Sequence, residues 1–306
     1  WLKTSLFRLQ GMQLSHVSAA PRNPRALVCI WGELRGIYAS CASLHKHVLE
    51  PLDAQVVICA QRQLADDDDR IKFLAKEMGS RLLTTHLYSK PDPSEFFGRE
   101  DFENMLEVRG NWLNPGNSQV LINHVKMGEI LAEASLLDST DLFVFTRSDY
   151  LHLLPFPSLQ DFLTCIASDD IITQAGHEFG GVNYNLSIMR GLAADYLASP
   201  LTMIRCRGIR NRAKTYNIER FFGEVFTQRG WRNLRMPITC FITAESMGDR
   251  STWRKIQASS KHKGVLYKYR TQMEEAYRTL EKWQECPCWH PLEHPIRMQV
   301  EESHGR

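Results

Sequence analysis

The pattern of apolar residues predicts alternating strands and helices. Continuous apolar runs at residues 26–31 and 55–60 are typical of strands that are covered on both faces of a sheet. A helix is predicted between them, ending before Pro51 because proline disfavours a helical conformation in the residue before it. Further strands are predicted at residues 81–87, 142–145, 171–173 and 235–243.

Helical patterns separate these strands. Four aspartates, Asp66 to Asp69, precede residues 71–78, and carboxylates favour the N-terminus of a helix. Other helices are predicted at residues 118–137, 186–197 and 218–228, with an amphipathic C-terminal helix within 264–283. Residues 91–115 are predicted to form an irregular insertion. The alternation predicts an α/β fold in which a mixed, mostly parallel, Rossmann-like sheet is flanked by helices.

The changes in pattern divide the 306 residues into three predicted parts. Residues 1–24 are predicted to form an N-terminal arm, residues 25–245 the α/β domain, and residues 246–306 a C-terminal helical extension and tail. With 43% hydrophobic residues, the chain can bury a sizeable core. No apolar run approaches the roughly 20 residues that span a bilayer. We therefore expect a cytoplasmic protein, and the arm leaves open a peripheral contact with the inner face of a membrane.

Charge and cysteine content narrow the class of protein. A net charge of +2 gives no electrostatic reason to expect a nucleic-acid partner. Cys29 and Cys59 lie in predicted buried strands, which favours free thiols in a reducing compartment. Residues 286–294 form a Cys-x-Cys-x-His-x₃-His cluster with zinc-binding atoms, but two cysteines separated by one proline suit a zinc site poorly. Its members are Cys286, Cys288, His290 and His294.

The candidate chemistry lies where the strand predicted at residues 142–145 ends. This strand runs directly into Thr146-Arg147-Ser148-Asp149-Tyr150, and ligands of open α/β sheets collect beyond the carboxyl ends of the strands. Breaking a bond to a diphosphate needs positive charge at the departing group. Asp149 could hold a divalent metal there, and Arg147 could supply the charge without one. An aspartate that only begins a surface turn is the alternative interpretation.

Residues 117–120, the helix after them and residues 145–150 resemble the pattern "N-x-Q, helix, strand, R-S-D" of WavE-type bacterial lipopolysaccharide-synthesis proteins and related GT-A-type glycosyltransferases. Residues 32–36, 176–185 and 216–220 are similar to other short motifs of that family. The resemblance implies a GT-A-like fold. It also implies transfer of a sugar from a nucleotide-sugar donor to a glycan or lipid-linked glycan, in cell-surface polysaccharide or lipopolysaccharide synthesis. Mn²⁺ or Mg²⁺ is the implied cofactor, with metal independence as the alternative because Arg147 replaces the first acid of the Asp-x-Asp motif.

The resemblance further implies roles for individual residues. Donor binding is assigned to Gly32, Arg35, Gln119, Asn123, Arg147, Ser148 and Tyr150. Catalysis is assigned to Asp149, which is also the candidate metal ligand, and to Glu178 or Glu219 as general base for the acceptor. Acceptor binding is assigned to Gly180, Gly181, Asn183 and Asn185. Each role has a structural alternative. Glu178 and Glu219 could be surface carboxylates, Arg35 could form a surface salt bridge, and Gly180 and Gly181 could simply make a turn. The alternative function is a non-catalytic glycan-binding or scaffold domain that works with other assembly enzymes.

Overall fold

A mixed sheet of eight strands lies at the centre of the molecule. The computed structural model describes residues 23–107, 115–176, 178–179, 181–205, 217–245, 253–257, 262–286 and 296–297. The strands are β1 (Ala26–Glu33), β2 (Gln55–Arg62), β3 (Leu82–Ser89), β4 (Leu142–Arg147), β5 (Tyr150–His152), β6 (Asp170–Gln174), β7 (Ser187–Met189), β8 (Arg232–Met236), β9 (Cys240–Ile242), β10 (Arg254–Lys255), β11 (Leu266–Tyr267) and β12 (Ile296–Arg297). The sheet has the order β12-β8-β6-β7-β4-β1-β2-β3, while β5–β9 and β10–β11 form separate two-stranded sheets.

Helices cover both faces of the eight-stranded sheet. They are α1 (Ile37–Leu44), which continues through a π-helical turn (His45–Leu49) and a last turn (Glu50–Leu52), α2 (Asp67–Met78), α3 (Pro93–Phe97), α4 (Arg99–Glu107), α5 (Pro115–Glu133), α6 (Leu159–Cys165), α7 (Ala193–Arg205), α8 (Ile218–Arg229) and α9 (Arg270–Glu285), with a 3₁₀ turn at Gly79–Arg81. Helices α1, α2 and α6 pack on one face, and α5, α7 and α8 on the other. Among the described strands, four of the seven neighbouring pairs are parallel. The predicted α/β fold with a mixed, mostly parallel sheet is therefore confirmed.

Alternation along β1 shows why both faces need a covering layer. Val28 and Ile30 pack towards α1 and α2, whereas Cys29 and Trp31 pack towards α5 and α7. All four side chains are at most 4% exposed. Burying an aliphatic side chain such as that of Val28 or Ile30 contributes roughly 1.5–3 kcal/mol to stability. Cys29 and Cys59 are free thiols, as predicted. Burial raises the pKa of the Cys59 thiol to about 12, so it is an inert part of the core.

The order of the connections creates a topological switch point at one edge of the sheet. From β1 the chain moves outward to β2 and β3, each parallel to its neighbour, and then returns to β4 on the other side of β1. The carboxyl ends of β1 and β4 thus lie side by side, while the chain leads away from them in opposite directions. Open α/β sheets bind ligands at such a switch point.

The prediction of an irregular insertion is wrong for residues 93–107, which form α3 and α4. The Asp92 side chain accepts a hydrogen bond from the backbone N–H of Ser94 at 2.8 Å. Pro93 occupies the first helical turn, where its missing N–H leaves no hydrogen bond unmade. Asp92 and Pro93 are therefore helix-start signals here. Residues 108–114 lie outside the described part of the chain.

The helix predicted at residues 186–197 is wrong in its first part. Ser187–Met189 form β7, which is antiparallel to both β4 and β6. An apolar segment this short has no period that separates a buried strand from a buried helix. Gly191, with φ of +63°, follows the strand, and α7 begins at Ala193.

At two prolines the observed elements differ from the predicted ones. The helix after β1 continues past Pro51 by way of the π-helical turn. A proline inside a helix leaves the carbonyl oxygen of the residue four positions earlier without its usual partner. Here the backbone N–H of Phe156 donates to that oxygen, on His47, at 2.7 Å. Pro237, in contrast, separates β8 from β9 and divides the strand predicted at residues 235–243.

Helix α9 confirms the predicted C-terminal helix and braces the segment after β4. Its Gln272 side chain is 1% exposed and accepts a hydrogen bond from the backbone N–H of Ile242 at 3.1 Å. Gln272 also bonds the phenol of Tyr150. In the part of the chain that the structure describes, no helix is both long and apolar enough to cross a membrane. Residues 1–22, and Cys288, His290 and His294, lie outside that part.

Candidate functional site

A buried carboxylate between two arginines forms the centre of the site. Arg147 donates from Nε and Nη2 to the two carboxylate oxygens of Asp149, at 2.7 Å each. Arg35 donates from Nε to Asp149 Oδ2 at 2.9 Å and from Nη1 to Glu33 Oε2 at 3.2 Å. Three residues proposed from the sequence thus meet at the switch point. Glu33 was not among them, although it lies in the segment 32–36 that resembles a family motif.

The surroundings of Asp149 favour its charged form. Its side chain is 2% exposed, and burial alone would raise the pKa of its carboxyl group. The charges and hydrogen bonds of Arg147 and Arg35 outweigh burial and lower the pKa to about 2. The side chains of Arg147 and Arg35 keep 25% and 19% of their surface exposed. A ligand at this edge of the sheet can therefore reach both arginines.

Ser148 ties the motif after β4 to the end of β1. Its hydroxyl lies in hydrogen-bond contact with the carbonyl oxygens of Glu33 and Arg35. The Ser148 carbonyl oxygen in turn accepts a hydrogen bond from the Ser40 hydroxyl on α1. Ser148 is only 1% exposed, so it lies beneath the arginine cluster. Its hydrogen bonds to the backbone of Glu33 and Arg35 hold Arg35 at a fixed distance from Asp149.

Gly36 allows the backbone to approach Asp149 closely. Its φ is +78°, and a Cβ at this position would lie 2.8 Å from the Cβ of Asp149 and 2.9 Å from the carbonyl oxygen of Thr243. The backbone N–H of Thr243 also donates to the carbonyl oxygen of Asp149 at 2.8 Å. Only glycine meets both the conformation and the space at this turn.

The loop after β6 reaches the same edge of the sheet. Asn185 Oδ1 accepts a hydrogen bond from Arg147 Nη1 at 3.3 Å. Asn183 is fully buried, and its Nδ2 donates to the carbonyl oxygens of Gln174 and Gly176 at 3.2 and 2.9 Å. The Asn183 Oδ1 accepts from Asn185 Nδ2 at 3.1 Å. Asn185 therefore contacts the arginine cluster, while Asn183 holds the loop beneath it.

The two candidate general bases have different surroundings. Glu178 Oε1 accepts a hydrogen bond from the backbone N–H of Gly176 at 2.8 Å and pairs with Arg235 Nη1 at 3.4 Å. Glu219 lies in the first turn of α8, and burial raises the pKa of its carboxyl group. A carboxylate with a raised pKa accepts a proton more readily at neutral pH. Glu219 is therefore the better candidate for a base.

Gly181 docks the loop on the start of α8. A Cβ at Gly181 would lie 2.0 Å from the carbonyl oxygen of Glu219, so no larger residue fits without moving the helix. The backbone N–H of Val182 donates to the same oxygen at 2.9 Å. This contact fixes Glu219 relative to the loop that carries Asn185. Gly180 lies outside the described residues.

Tyr184 has no role among the sequence predictions. It precedes Asn185 in the loop after β6 and contacts α8. Its ring stacks on Phe222 of α8, with centroids 4.9 Å apart and an interplanar angle of 20°. Burial and the negative charge of Glu219 raise the pKa of the Tyr184 phenol, and the positive charge of Arg147 acts against them. Tyr184 is thus within electrostatic reach of both charged groups.

A second polar cluster lies beside Gly32, at the ends of β1 to β3. Gln119 Nε2 donates to the Tyr88 hydroxyl oxygen at 2.7 Å and to Asn123 Oδ1 at 3.1 Å, and the Tyr88 hydroxyl donates to Asn123 Oδ1. Gly32 has a φ of +89°, and a Cβ at this position would lie 4.0 Å from the amide nitrogen of Asn123. Gln61 of β2 is fully buried, and neither atom of its amide bonds another described residue. The cluster is separate from the arginine pair.

Tyr150 lies below the site rather than in it. Its side chain is 1% exposed and belongs to the apolar cluster on the α1 face of the sheet. Its phenol bonds Gln272, as described above. In this position Tyr150 anchors the motif to the core and to α9.

The residues around Asp149 do not fit a divalent cation in this arrangement. Both carboxylate oxygens accept hydrogen bonds from guanidinium nitrogens at 2.7–2.9 Å, so positive charge already occupies the positions a metal would take. Within the described residues, no group of three or more His, Cys, Asp and Glu side chains is placed to hold a metal ion. Arginines supply the positive charge that the described residues bring to this site.

The fold and the side chains together define an α/β protein with a charged cluster at a topological switch point. The sequence matches no protein-family model and no curated protein. Among solved structures, the chain is similar to mouse xyloside xylosyltransferase 1 in its apo form. The identity is 10% and the TM-score 0.39, over 67% of this chain and 82% of that one.

Proposed function

We propose that this protein is a glycosyltransferase that moves a sugar from a nucleotide-sugar donor to a glycan or lipid-linked glycan acceptor. The observation that carries the proposal is the pair of accessible arginines held on one buried carboxylate at the switch point. Fixed cations at this place suit a donor diphosphate, on which charge grows as its bond to the sugar breaks. The motif resemblance around Arg147 and Asp149 supports the same reaction class.

The two arginines have N–H groups left for a diphosphate. Each guanidinium carries five N–H donors. Towards the described residues, Arg35 uses two of them, on Asp149 and Glu33, and Arg147 uses three, on Asp149 and Asn185. Planar guanidinium groups bind phosphate through their remaining paired donors. In this proposal Asp149 is a positioning residue that holds the arginines, and the arginines contact the donor.

Glu219 is proposed as the general base on the acceptor side. In a direct displacement, the acceptor hydroxyl oxygen forms a bond to the anomeric carbon as the bond from that carbon to the diphosphate oxygen breaks. The electron pair of the broken bond leaves with the nucleoside diphosphate, and Glu219 takes the proton of the acceptor hydroxyl. Glu178 has its carboxylate engaged by Arg235 and the Gly176 N–H, so we assign it a structural role.

The cellular context in this proposal comes from the motif resemblance. We infer that the product is a linkage in a cell-surface polysaccharide or lipopolysaccharide. The partners would be other enzymes of the same assembly process, and residues 1–24 would provide a peripheral membrane contact. These inferences depend on the donor site, so the donor is the part to test first.

The test is a thermal-shift screen with UDP-, GDP-, CMP- and dTDP-sugars, each measured in EDTA and in Mn²⁺. We expect one nucleotide family to raise the melting temperature in EDTA, because a ligand at 100 times its Kd stabilises the native state by about 2.7 kcal/mol. Arg35→Gln should lose this shift. The matched control is Arg81→Gln, whose ion pair with Asp53 lies at the opposite edge of the sheet and which should keep the shift.

The outcomes separate the parts of the proposal. A melting temperature unchanged by every nucleotide, in EDTA and in Mn²⁺, would contradict a donor site and favour the non-catalytic glycan-binding or scaffold domain. A shift seen only in Mn²⁺ would be consistent with the proposed transferase activity. It would contradict the proposal that the arginines alone balance the charge of the donor diphosphate. In that case Arg147 would have to release Asp149, because the carboxylate has no oxygen free of guanidinium contacts in the present arrangement.

A further inference from the structure

Tyr184 lies in the loop after β6, within electrostatic reach of both Arg147 and Glu219. Its ring stacks on Phe222, which follows Glu219 by one turn of α8, so Glu219 and Phe222 share a face of that helix. The next residue in the loop, Asn185, accepts a hydrogen bond from Arg147. The stacking places the Tyr184 ring against the face of α8 that carries Glu219, and the hydrogen bond places its chain neighbour Asn185 on Arg147.

The Tyr184 hydroxyl differs from other tyrosine hydroxyls of the core. Tyr88 bonds Asn123, Tyr196 contacts the Ser187 hydroxyl at 3.0 Å, and Tyr150 bonds Gln272. The hydroxyl of Tyr184 bonds no other described residue, although its ring is packed and partly buried. The hydroxyl is not enclosed by the protein, so a ligand can reach it.

We propose that the Tyr184 hydroxyl hydrogen-bonds a hydroxyl group of the sugar that is being transferred. This inference rests on the proposed function. In the proposed transfer, the sugar lies between the diphosphate at Arg147 and the acceptor at Glu219, and the phenol is within electrostatic reach of both residues. A phenol both donates and accepts a hydrogen bond, so it suits the hydroxyl groups of a sugar ring. The role makes Tyr184 a contact to the sugar and not to the nucleotide.

The experiment compares two ligands on one variant. Tyr184→Phe removes the hydroxyl and keeps the ring on Phe222, so the fold is preserved. Isothermal titration would measure the Kd of the nucleotide-sugar that wild type binds, and of the same nucleoside diphosphate without sugar. We expect the affinity for the nucleotide-sugar to fall by about 3- to 10-fold, as for the loss of one hydrogen bond, and the affinity for the diphosphate to stay unchanged.

The matched control is Tyr196→Phe, which removes a hydroxyl from the same aromatic core. It loses the contact with Ser187, so its melting temperature should fall while both affinities stay at their wild-type values. Equal losses of both affinities in Tyr184→Phe, or no loss of either, would overturn the inference. If wild type binds neither ligand, the proposed function itself fails and the inference falls with it. If wild type binds both and Tyr184→Phe does not distinguish them, only the role of Tyr184 is wrong.

Discussion

Replacing Asp149 with asparagine tests the physical argument for the site most directly. The carboxylate accepts three hydrogen bonds from Arg147 and Arg35 at 2.7–2.9 Å and is 2% exposed. Its pKa of about 2, against an ordinary value of about 4, corresponds to about 2–3 kcal/mol of folding stability at neutral pH. Asparagine has one oxygen acceptor and no charge, and it leaves two cations side by side. We therefore expect Asp149→Asn to lower the free energy of unfolding by about 2–4 kcal/mol.

Urea unfolding at pH 7 would measure this loss, with Asp68→Asn as the control. The Asp68 carboxylate also binds one arginine, Arg62, through two nitrogens, but that pair is solvent-exposed. A much smaller loss is expected there, because exposed ion pairs contribute little. Equal losses in the two variants would refute the reasoning that the buried position of Asp149 makes its ion pairs strong.

The pH dependence of the same comparison follows from the sign of the shift. The pKa of Asp149 is lower in the folded state than in the unfolded state, so its contribution is present in full above about pH 4 and is lost as the pH falls towards 2. The stability difference between wild type and Asp149→Asn should therefore shrink between pH 4 and pH 3. A difference that stays constant over this range would show that the charge of Asp149 is not what stabilises the fold.

Two further predictions concern buried histidines and a glycine of the site. Burial lowers the pKa values of His124 and His152 to about 4 and about 3, below the ordinary value of about 6.5, so stability should fall as the pH drops from 6.5 to 5. Each histidine contributes up to about 1.4 kcal/mol per pH unit to this fall. Urea unfolding of His152→Leu should show about half of the wild-type slope. A wild-type free energy of unfolding that does not change over this pH range would contradict the prediction. Gly36→Ala should lower the melting temperature more than Gly230→Ala, because both have positive φ but only Gly36 lacks space for a Cβ; equal losses would mean that the close contact is unimportant.

Local patterns are enough to predict that the arginines of the proposed donor site lie at one edge of the sheet. An apolar run that ends in Arg147-Ser148-Asp149 indicates a buried strand with polar residues at its carboxyl end, and Arg35 follows a second such strand. Because parallel neighbours share an edge, Arg35 and Arg147 could be expected close together. The sequence does not predict that both guanidinium groups bind Asp149, since this depends on side-chain directions after Gly36 and Ser148.

The proposed acceptor side depends on contacts between segments that are distant in sequence. Ser187–Met189 form a strand only because β4 and β6 lie on either side of them, and nothing local distinguishes them from a helix. Glu178 and Glu219 are equal candidates by composition, and Arg235 decides between them by pairing with Glu178. Tyr184 becomes a candidate only when α8 brings Glu219 to its side, which no motif encodes.

The brace between Gln272 and the segment after β4 affects the order in which the site is completed during synthesis. Chains leave the ribosome N-terminus first, so Arg35 and Asp149 emerge long before α9. Until Gln272 follows, the Ile242 N–H and the Tyr150 phenol lack the partner that holds β5 and β9 in place. Thr243, next to β9, supports the backbone of Asp149. A nascent chain therefore carries both arginines and their carboxylate before it can hold them in the geometry of the folded protein.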